Sequence, residues 1–417
     1  MMKRLRLLLF ALLFAFTLHA HANGQSVQFI ITGDLHGQLK PLSQLAALFR
    51  KYPDAVKIDL GDLFQGEPAH DISNGEVMID ALNALKYDFI IPGNHDFELS
   101  AGQFTRSYSR FSGTLLGQWR CGKLPVFPWK IIERNKFKCA VIGMTDHGMY
   151  KIRRFFPGYS FEDELPSINA ALKEISRHRV DIIILARHGG DYFHGMAAGK
   201  FLHDHPEIDM LFCAHTHREI AGQRNGRSLI VQPGAYGASA VLVTVKHDPV
   251  HGKIITSRLL RPAGKPDAQL AALNARMRAA LAQRLYTPAI TVRDHDDFIR
   301  RTLKKLKTAA GADAAVIDSP ELKRGNHTLN KMLKLFPYRN RLCVITVSRK
   351  DFLAFLREKP PRNRRRYATP VPAGKTNFTL VLSTFQLNRS KRLKKYAKNV
   401  RLVPFIDRDI IFRKDDL

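Results

Sequence analysis

Along the first 250 residues, short apolar runs alternate with longer stretches whose apolar positions recur at helical spacing. The runs Gln28–Thr32, Val56–Leu60, Phe89–Ile91, Ala140–Met144, Asp181–Leu185, Met210–Cys213 and Leu229–Val231 predict strands. Between them, Leu42–Lys51, Glu76–Lys86 and Ser167–Arg177 predict amphipathic helices, with Ser73 and Asn74 as N-cap candidates for the second. Strands alternating with helices in this way predict a layered α/β domain. Further on, Ala268 to Leu285 is rich in Ala, Leu and Arg without a breaker and predicts one more helix.

Charge divides the chain where the pattern changes. Residues 1–250 hold 28 Lys and Arg against 24 Asp and Glu; residues 251–417 hold 38 against 13. Nearly all of the net +29 therefore belongs to the last part. The excess predicts an anionic partner without saying which, since net charge bears on attraction and not on fold. With 45% hydrophobic and 25% charged residues the composition is that of a globular protein, and 417 residues suggest two domains. The expected division is a signal peptide at 1–22, a first domain at 23–262, a helical linker at 263–287 and a second domain at 288–417. The leader reading rests on Lys3, Arg4 and Arg6, the apolar run Leu7 to Leu18, and the small residues of Ala20-His21-Ala22. That run is short of the ~20 residues that span a bilayer, so a periplasmic or secreted protein is expected. Four cysteines with no CxxC spacing exclude a disulfide-built scaffold and a Cys-based zinc site. A disulfide is permissible in an exported chain; buried free thiols are the plainer expectation.

The candidate chemistry stands at the strand ends. Gly33-Asp34-Leu35-His36 follows the first run, Gly61-Asp62 the second and Gly93-Asn94-His95-Asp96 the third. Arg187-His188-Gly189-Gly190 follows the fifth, and Ala214-His215-Thr216-His217 the sixth. Asp34/His36 and His215/His217 are i, i+2 pairs, which in extended chain would project from one face. A single strand-end Asp is an ordinary turn former, and a single His-x-His an ordinary surface feature. Five such groups, each closing an apolar run, gather where open α/β sheets bind ligands. Their carboxylates, amide and imidazoles are too many for one tetrahedral ion and suit two. His147, His194, His203 and His205 lie outside this series and are read as solvent-exposed or supporting. Arg187 is read as an ordinary surface arginine.

These residues resemble the signature of calcineurin-like metallophosphoesterases. Gly61-Asp62-Leu63-Phe64-Gln65-Gly66 and Asn94-His95-Asp96-Phe97-Glu98 are similar to the secreted 5'-nucleotidase and cyclic-phosphodiesterase branch. The resemblance implies a four-layer α/β/β/α domain followed by a smaller α+β domain of the 5'-nucleotidase C-terminal kind. It implies two divalent ions (Zn, Mn, Fe or Co), one held by Asp34, His36 and His217. The other would be held by Asn94, His188 and His215, with Asp62 bridging. Metal-bound hydroxide would attack phosphorus in line, and His95 would stabilise phosphoryl charge or assist the leaving oxygen. Glu98 stands where the family usually has the Asp that pairs with this His, and Ala214 where it usually has Gly.

In the last part the resemblance thins. Thr328 to Leu342 is similar to the 5'-nucleotidase C-terminal domain, so Tyr338 and Phe385 match two aromatics that would stack on a nucleobase. A glycine-bearing loop of the family falls near Asp318 to Gly325 without its glycines, leaving Lys323 or Arg324 to supply charge. The clusters Arg362–Arg366 and Lys391–Lys395 could attract a polyanion or form a solvated basic face. The leading expectation is an exported two-metal phosphohydrolase acting on a small phosphorylated substrate of the nucleotide class. The alternatives are a phosphodiesterase or phosphomonoesterase for a non-nucleotide anionic substrate, and a basic anion-binding envelope protein with a vestigial catalytic domain. The intact ligand series argues against the last.

Overall fold

The computed structural model describes residues 26–66, 73, 75–145, 158–193, 196–284, 290–327, 331–332, 335–336 and 340–406. The expected leader, Tyr338, His147 and His194 lie outside the described residues. Two sheets face each other. The seven-stranded sheet runs, edge to edge, through Gly252–Leu260, Ala240–Asp248, Ser26–Thr32, Val56–Asp59, Phe89–Ile90, Thr114–Leu116 and Val126–Phe127. The six-stranded sheet runs through Ile220–Asn225, Ser228–Gln232, Met210–Cys213, Ile182–His188, Phe137–Thr145 and Trp129–Arg134.

The period of two along a strand explains the layering. In Ser26–Thr32, Val27, Phe29 and Ile31 enter the core between the sheets, while Ile30 enters the outer core. That outer core is closed by Leu42, Leu45 and Phe49 of helix Leu39–Phe49 and by Met78, Ile79 and Leu82 of helix Glu76–Ala84. On the far side, Ile142, Leu185 and Leu211 pack under Ile168, Leu172 and Ile175 of helix Glu164–Ile175. Strands buried on both faces read as unbroken apolar runs, which is why the sequence pattern exposes them. The result is the expected α/β/β/α stack.

Several boundaries differ for local reasons. The first and third helices begin at Leu39 and Glu164, earlier than expected, because Pro41 and Pro166 lie in the first turn, where no intrahelical N–H bond is needed. Asn74 lies outside the described residues, and Ser73 is not the N-cap of the second helix. Gly75 is, in the left-handed region (φ 83°), and a Cβ there would lie 2.3 Å from Phe64 Cδ1. The hairpin Ala240–Asp248/Gly252–Leu260 was not among the expected strands. Its turn is held by Asp248, whose carboxylate accepts from the N–H groups of Val250 and His251 at 2.9 and 2.7 Å. Cys121, Cys139, Cys213 and Cys343 are all free and buried.

Helix Ala268–Arg284 lies against the first helical layer through Leu270, Leu273 and Met277. Asp267 starts it, accepting from Gln269 N and Leu270 N and pairing with Arg50. Beyond it, a five-stranded sheet orders Arg365–Ala368, Ala314–Ser319, Asn377–Ser383, Arg341–Ser348 and Arg401–Ile406. Helix His295–Ala310 covers one face through Ile299, Leu303 and Leu306; Phe352 and Phe355 cover the other. Part of the basic excess is committed inside this unit. Arg366 donates to both oxygens of Asp318 (2.8 and 3.1 Å), to the carbonyls of Phe355 and Glu358, and stacks 3.9 Å over the Phe355 ring. Arg364 donates to the carbonyls of Asp318 and Leu335. Arg362–Arg366 is therefore not a uniform solvated face.

Candidate metal centre

All five groups fall at one end of the facing sheets. Ser26–Thr32, Val56–Asp59 and Phe89–Ile90 are parallel neighbours in one sheet, Ile182–His188 and Met210–Cys213 in the other. Their carboxyl ends deliver Asp34 and His36, Asp62, Asn94 and His95, His188, and His215 and His217 to one place.

The i, i+2 pairs do not converge through strand geometry. Asp34, His36, Asp62, His215 and His217 all have left-handed backbone, with φ of 50°, 44°, 55°, 75° and 58°. Each side chain is aimed by a loop that has already left the strand. The loops hold each other: Asp34 N donates to Gly61 O, His36 N to Asp62 O and Gly37 N to Leu63 O, at 2.8, 2.9 and 2.9 Å. Gly61 and Gly93 permit this, since a Cβ on Gly61 would lie 2.2 Å from Gly93 N and one on Gly93 2.2 Å from Asp62 Oδ1. Asp96 completes the brace, accepting from Asp62 N, Leu63 N and Gly93 N at 2.9, 2.8 and 2.7 Å. Nothing in the stretch Gly93-Asn94-His95-Asp96 alone marks Asp96 for this part.

Two donor sets result. One ligand atom each from Asp34, His36 and His217 lie within 4.8 Å of one another, and the same holds for Asp62, His188 and His215. Asp62 Oδ2 reaches both sets, 3.4 Å from His188 Nε2 and 3.9 Å from His36 Nε2. Asn94 Oδ1 is 3.1 Å from His188 Nε2. Contacts behind the imidazoles set their tautomers: His36 Nδ1 faces the Gln65 carbonyl at 2.7 Å and His188 Nδ1 the Leu60 carbonyl at 2.6 Å. Both Nδ1 atoms therefore carry the proton, and each Nε2 turns inward. Neither carbonyl leaves a signal in side-chain sequence.

Whether this set suits cations is answered by its polar atoms. Asp34 Oδ1 is buried without a hydrogen-bond partner. His36 Nε2 and His217 Nε2 face each other at 3.2 Å, although with its Nδ1 protonated a neutral His36 offers only a lone pair. Burial lowers His36 to about 4, so its imidazole is neutral at ordinary pH. Burial pushes Asp34 up, and would push Asp62 up too, but the imidazoles of His188, His95 and His36 hold Asp62 below the usual carboxylate range. Burial alone would lower His188, yet Asp62 outweighs it and brings the group to about 10. Buried oxygens and lone pairs facing one space, drawing protons where no other cation is present, fit a pair of divalent ions.

His95 sits beside this set. Its N–H donates to Asp62 Oδ1 at 2.8 Å, and its Nδ1 lies 2.6 Å from Glu98 Oε1. The longer Glu98 side chain thus still reaches the imidazole. Glu98 and Asp62 overcome the lowering effect of burial and raise His95 to about 9. Ala214 is also accommodated: its methyl would be 3.2 Å from a Cβ on Gly33, which has none.

Other expectations change. Arg187 is not a surface arginine but fully buried; it pairs with Glu164 and donates to the Gly190 carbonyl at 2.8 Å, bracing the loop after His188. Phe385 is 49% exposed on helix Thr384–Arg389, with the Arg389 guanidinium 5.9 Å from its ring centre. Arg324 is exposed at the edge of strand Gly325–His327. His205 bonds to the Phe201 carbonyl and Asn169, away from the centre. Tyr236, absent from the sequence reading, stands over the ring pair, 5.1 Å from His36 and 5.2 Å from His217 between centroids.

Comparison with known proteins bears on the fold that carries this site. Protein UshA of Escherichia coli is 28% identical over 142 residues, which is 32% of this chain and 26% of that protein. The chain thus spans about a quarter of the length of that curated relative. The solved 5'-nucleotidase precursor of Thermus thermophilus superposes with a TM-score of 0.67 at 15% identity, covering 93% of this chain and 95% of that one. The sulfate thiohydrolase SoxB of the same organism does so with a TM-score of 0.62 at 14% identity, covering 91% and 92%. Both establish a shared fold. Residues 27–219, which hold both donor sets, match the family described as calcineurin-like phosphoesterase.

Proposed function

We propose that the protein is an exported two-metal phosphohydrolase of the 5'-nucleotidase type. The observation that carries this is the pair of donor sets, Asp34/His36/His217 and Asp62/His188/His215, with Asp62 reaching both. Asn94 joins the second set through Oδ1. Divalent ions bound there supply neutralisation of phosphoryl charge and acidify water near neutral pH. The chain's own contribution is positional. Nδ1–H bonds to Gln65 and Leu60 fix the imidazoles before substrate arrives, and Asp96 fixes the loops of Asp62 and Asn94. His95, kept protonated by Glu98, donates a hydrogen bond to a phosphoryl oxygen or a proton to the leaving alkoxide.

Nucleotide substrates are supported by similarity to a 5'-nucleotidase of Vibrio cholerae, 24% identical over 177 residues, and by the exposed Phe385 with Arg389 beside it. Arg324 is the cation proposed to meet the substrate, and Tyr338 the second stacking aromatic. The basic-apolar-small leader supports export, and no helix of the described residues is long and apolar enough to cross a membrane. A second reading, hydrolysis of a non-nucleotide phosphate, is favoured by one observation. In the stretch where the family holds nucleotide, Asp318 is committed to Arg366 and Leu322 N to His295 Nδ1. The test is a substrate panel with Mn²⁺ or Zn²⁺: an aryl phosphate, AMP, a 2',3'-cyclic nucleotide, a bis-aryl phosphate and ribose 5-phosphate. Hydrolysis should vanish with chelator and fall at least ~10²-fold in Asp62→Ala, comparable to losing a key electrostatic group. Full activity in Asp62→Ala sinks the two-metal reading; preference for ribose 5-phosphate over AMP sinks the nucleotide one.

A further inference from the structure

Tyr236 occupies a position that a tyrosine does not take without cause. Its backbone lies in the left-handed region (φ 58°, ψ 23°), which is costly for a bulky side chain and persists only where the surroundings impose it. Here they do. Tyr236 N donates to the Asp34 carbonyl at 2.7 Å, tying the residue to the loop of a proposed ligand. On the other side, Gly234 N donates to Ser239 Oγ, and Ser239 Oγ in turn to Glu219, which pairs with Arg261. Ala235 before it and Gly237 after it are buried, Gly237 so near Pro41 that a Cβ would stand 2.8 Å from its ring.

This rigid turn nevertheless presents a large aromatic ring that is 50% exposed. The ring is tilted 34° to His36 and stands at 86° to His217, so it flanks the outer side of one donor set. A side chain needed only to fill space would be covered. One held in an unfavourable backbone state, beside the metal-facing imidazoles and open to solvent, is placed to meet what enters. We infer that Tyr236 is a specificity-determining residue: its exposed ring is the wall on which the flat organic group next to the phosphoryl group packs. The ligand class it selects is a phosphoester whose alcohol part is aromatic or heterocyclic, over one with a short alkyl part. The inference rests on the phosphoesterase reading above and adds the preference to it.

The experiment uses non-hydrolysable ligands, so that it reads binding. Phenylphosphonate and methylphosphonate are titrated calorimetrically into the Mn²⁺-loaded full chain, and Mn²⁺ into the metal-free chain. The variants are Tyr236→Phe, which keeps the ring, and Tyr236→Gly, which removes it while easing the left-handed backbone. Wild type and Tyr236→Phe should favour phenylphosphonate by about two- to tenfold, the range of one aromatic contact. Tyr236→Gly should lose that preference while its affinities for methylphosphonate and Mn²⁺ stay within about twofold. Equal binding of both phosphonates by wild type, or a preference surviving in Tyr236→Gly, overturns the inference and leaves the phosphoesterase reading standing. A parallel fall of both phosphonates and Mn²⁺ in Tyr236→Gly overturns it too, because the ring would then only buttress the histidines. If wild type loaded with Mn²⁺ binds neither phosphonate, both readings fall together.

Discussion

The candidate metal centre and the C-terminal sheet both bury charge, and they treat it in opposite ways. Arg366 and Asp318 are each 7% exposed and satisfied: two bonds to the carboxylate, two to carbonyls and an aromatic face beneath. At the centre, Asp34 Oδ1 is buried without a hydrogen-bond partner, and two imidazole nitrogens confront each other. A satisfied buried pair builds architecture; an unsatisfied set of oxygens and lone pairs fits a bound cation. The charge count alone obscures this, because the more basic half commits part of its cations internally.

The contrast can be broken experimentally. The largest effect should come from Asp318→Ala, which leaves Arg366 buried without its carboxylate and should cost ~3–5 kcal/mol in urea unfolding. Asp318→Leu combined with Arg366→Met should recover much of it, with hydrolysis per folded molecule unchanged throughout. Next, Asp34→Ala should cost the metal-free protein less than Asp318→Ala, since it removes a buried oxygen that lacks a hydrogen bond together with the single bond from His215 N to Oδ2. It should instead abolish the stabilisation by Mn²⁺, about 2.7 kcal/mol at a hundredfold excess over Kd. A metal-free loss as large as that of Asp318→Ala would erase the distinction.

The smallest effect concerns His95, whose folded pKa of about 9 stands above the ordinary 6.5. A raised histidine adds stability that is full below about 6.5 and is lost as pH rises through about 9. Removing the Glu98 carboxylate in Glu98→Gln should lower the His95 titration in the metal-free protein, followed by imidazole NMR. The decline of stability across that pH window should flatten. An unmoved titration would mean that Glu98 does not govern His95.

Much of this was legible in the chain because parallel strands buried on both faces announce themselves. Met210–Cys213 appears with its expected bounds, and each proposed ligand lies at or just beyond a strand end. What escaped depends on distant partners. Arg187 looked like a surface group because nothing local reveals Glu164, 23 residues away, as its counter-ion. Tyr236 gave no local signal because its meaning lies in two rings contributed by other loops. Gly75 displaced the apparent caps because Phe64 crowds that spot from another segment. Local rules describe an element's interior; its ends and its chemistry are settled by what it meets.

The left-handed backbone of five of the seven proposed ligand positions also restricts their future. Outside glycine, that conformation is most readily taken by asparagine, aspartate and histidine. Drift at Asp34, His36, Asp62, His215 and His217 is thereby channelled toward oxygen and nitrogen donors, whatever ion the cell supplies. A β-branched replacement would be rejected by the main chain before its chemistry was ever tried. The loops therefore act as a filter on ligand exchange, keeping the centre within a narrow alphabet while the basic half is free to change.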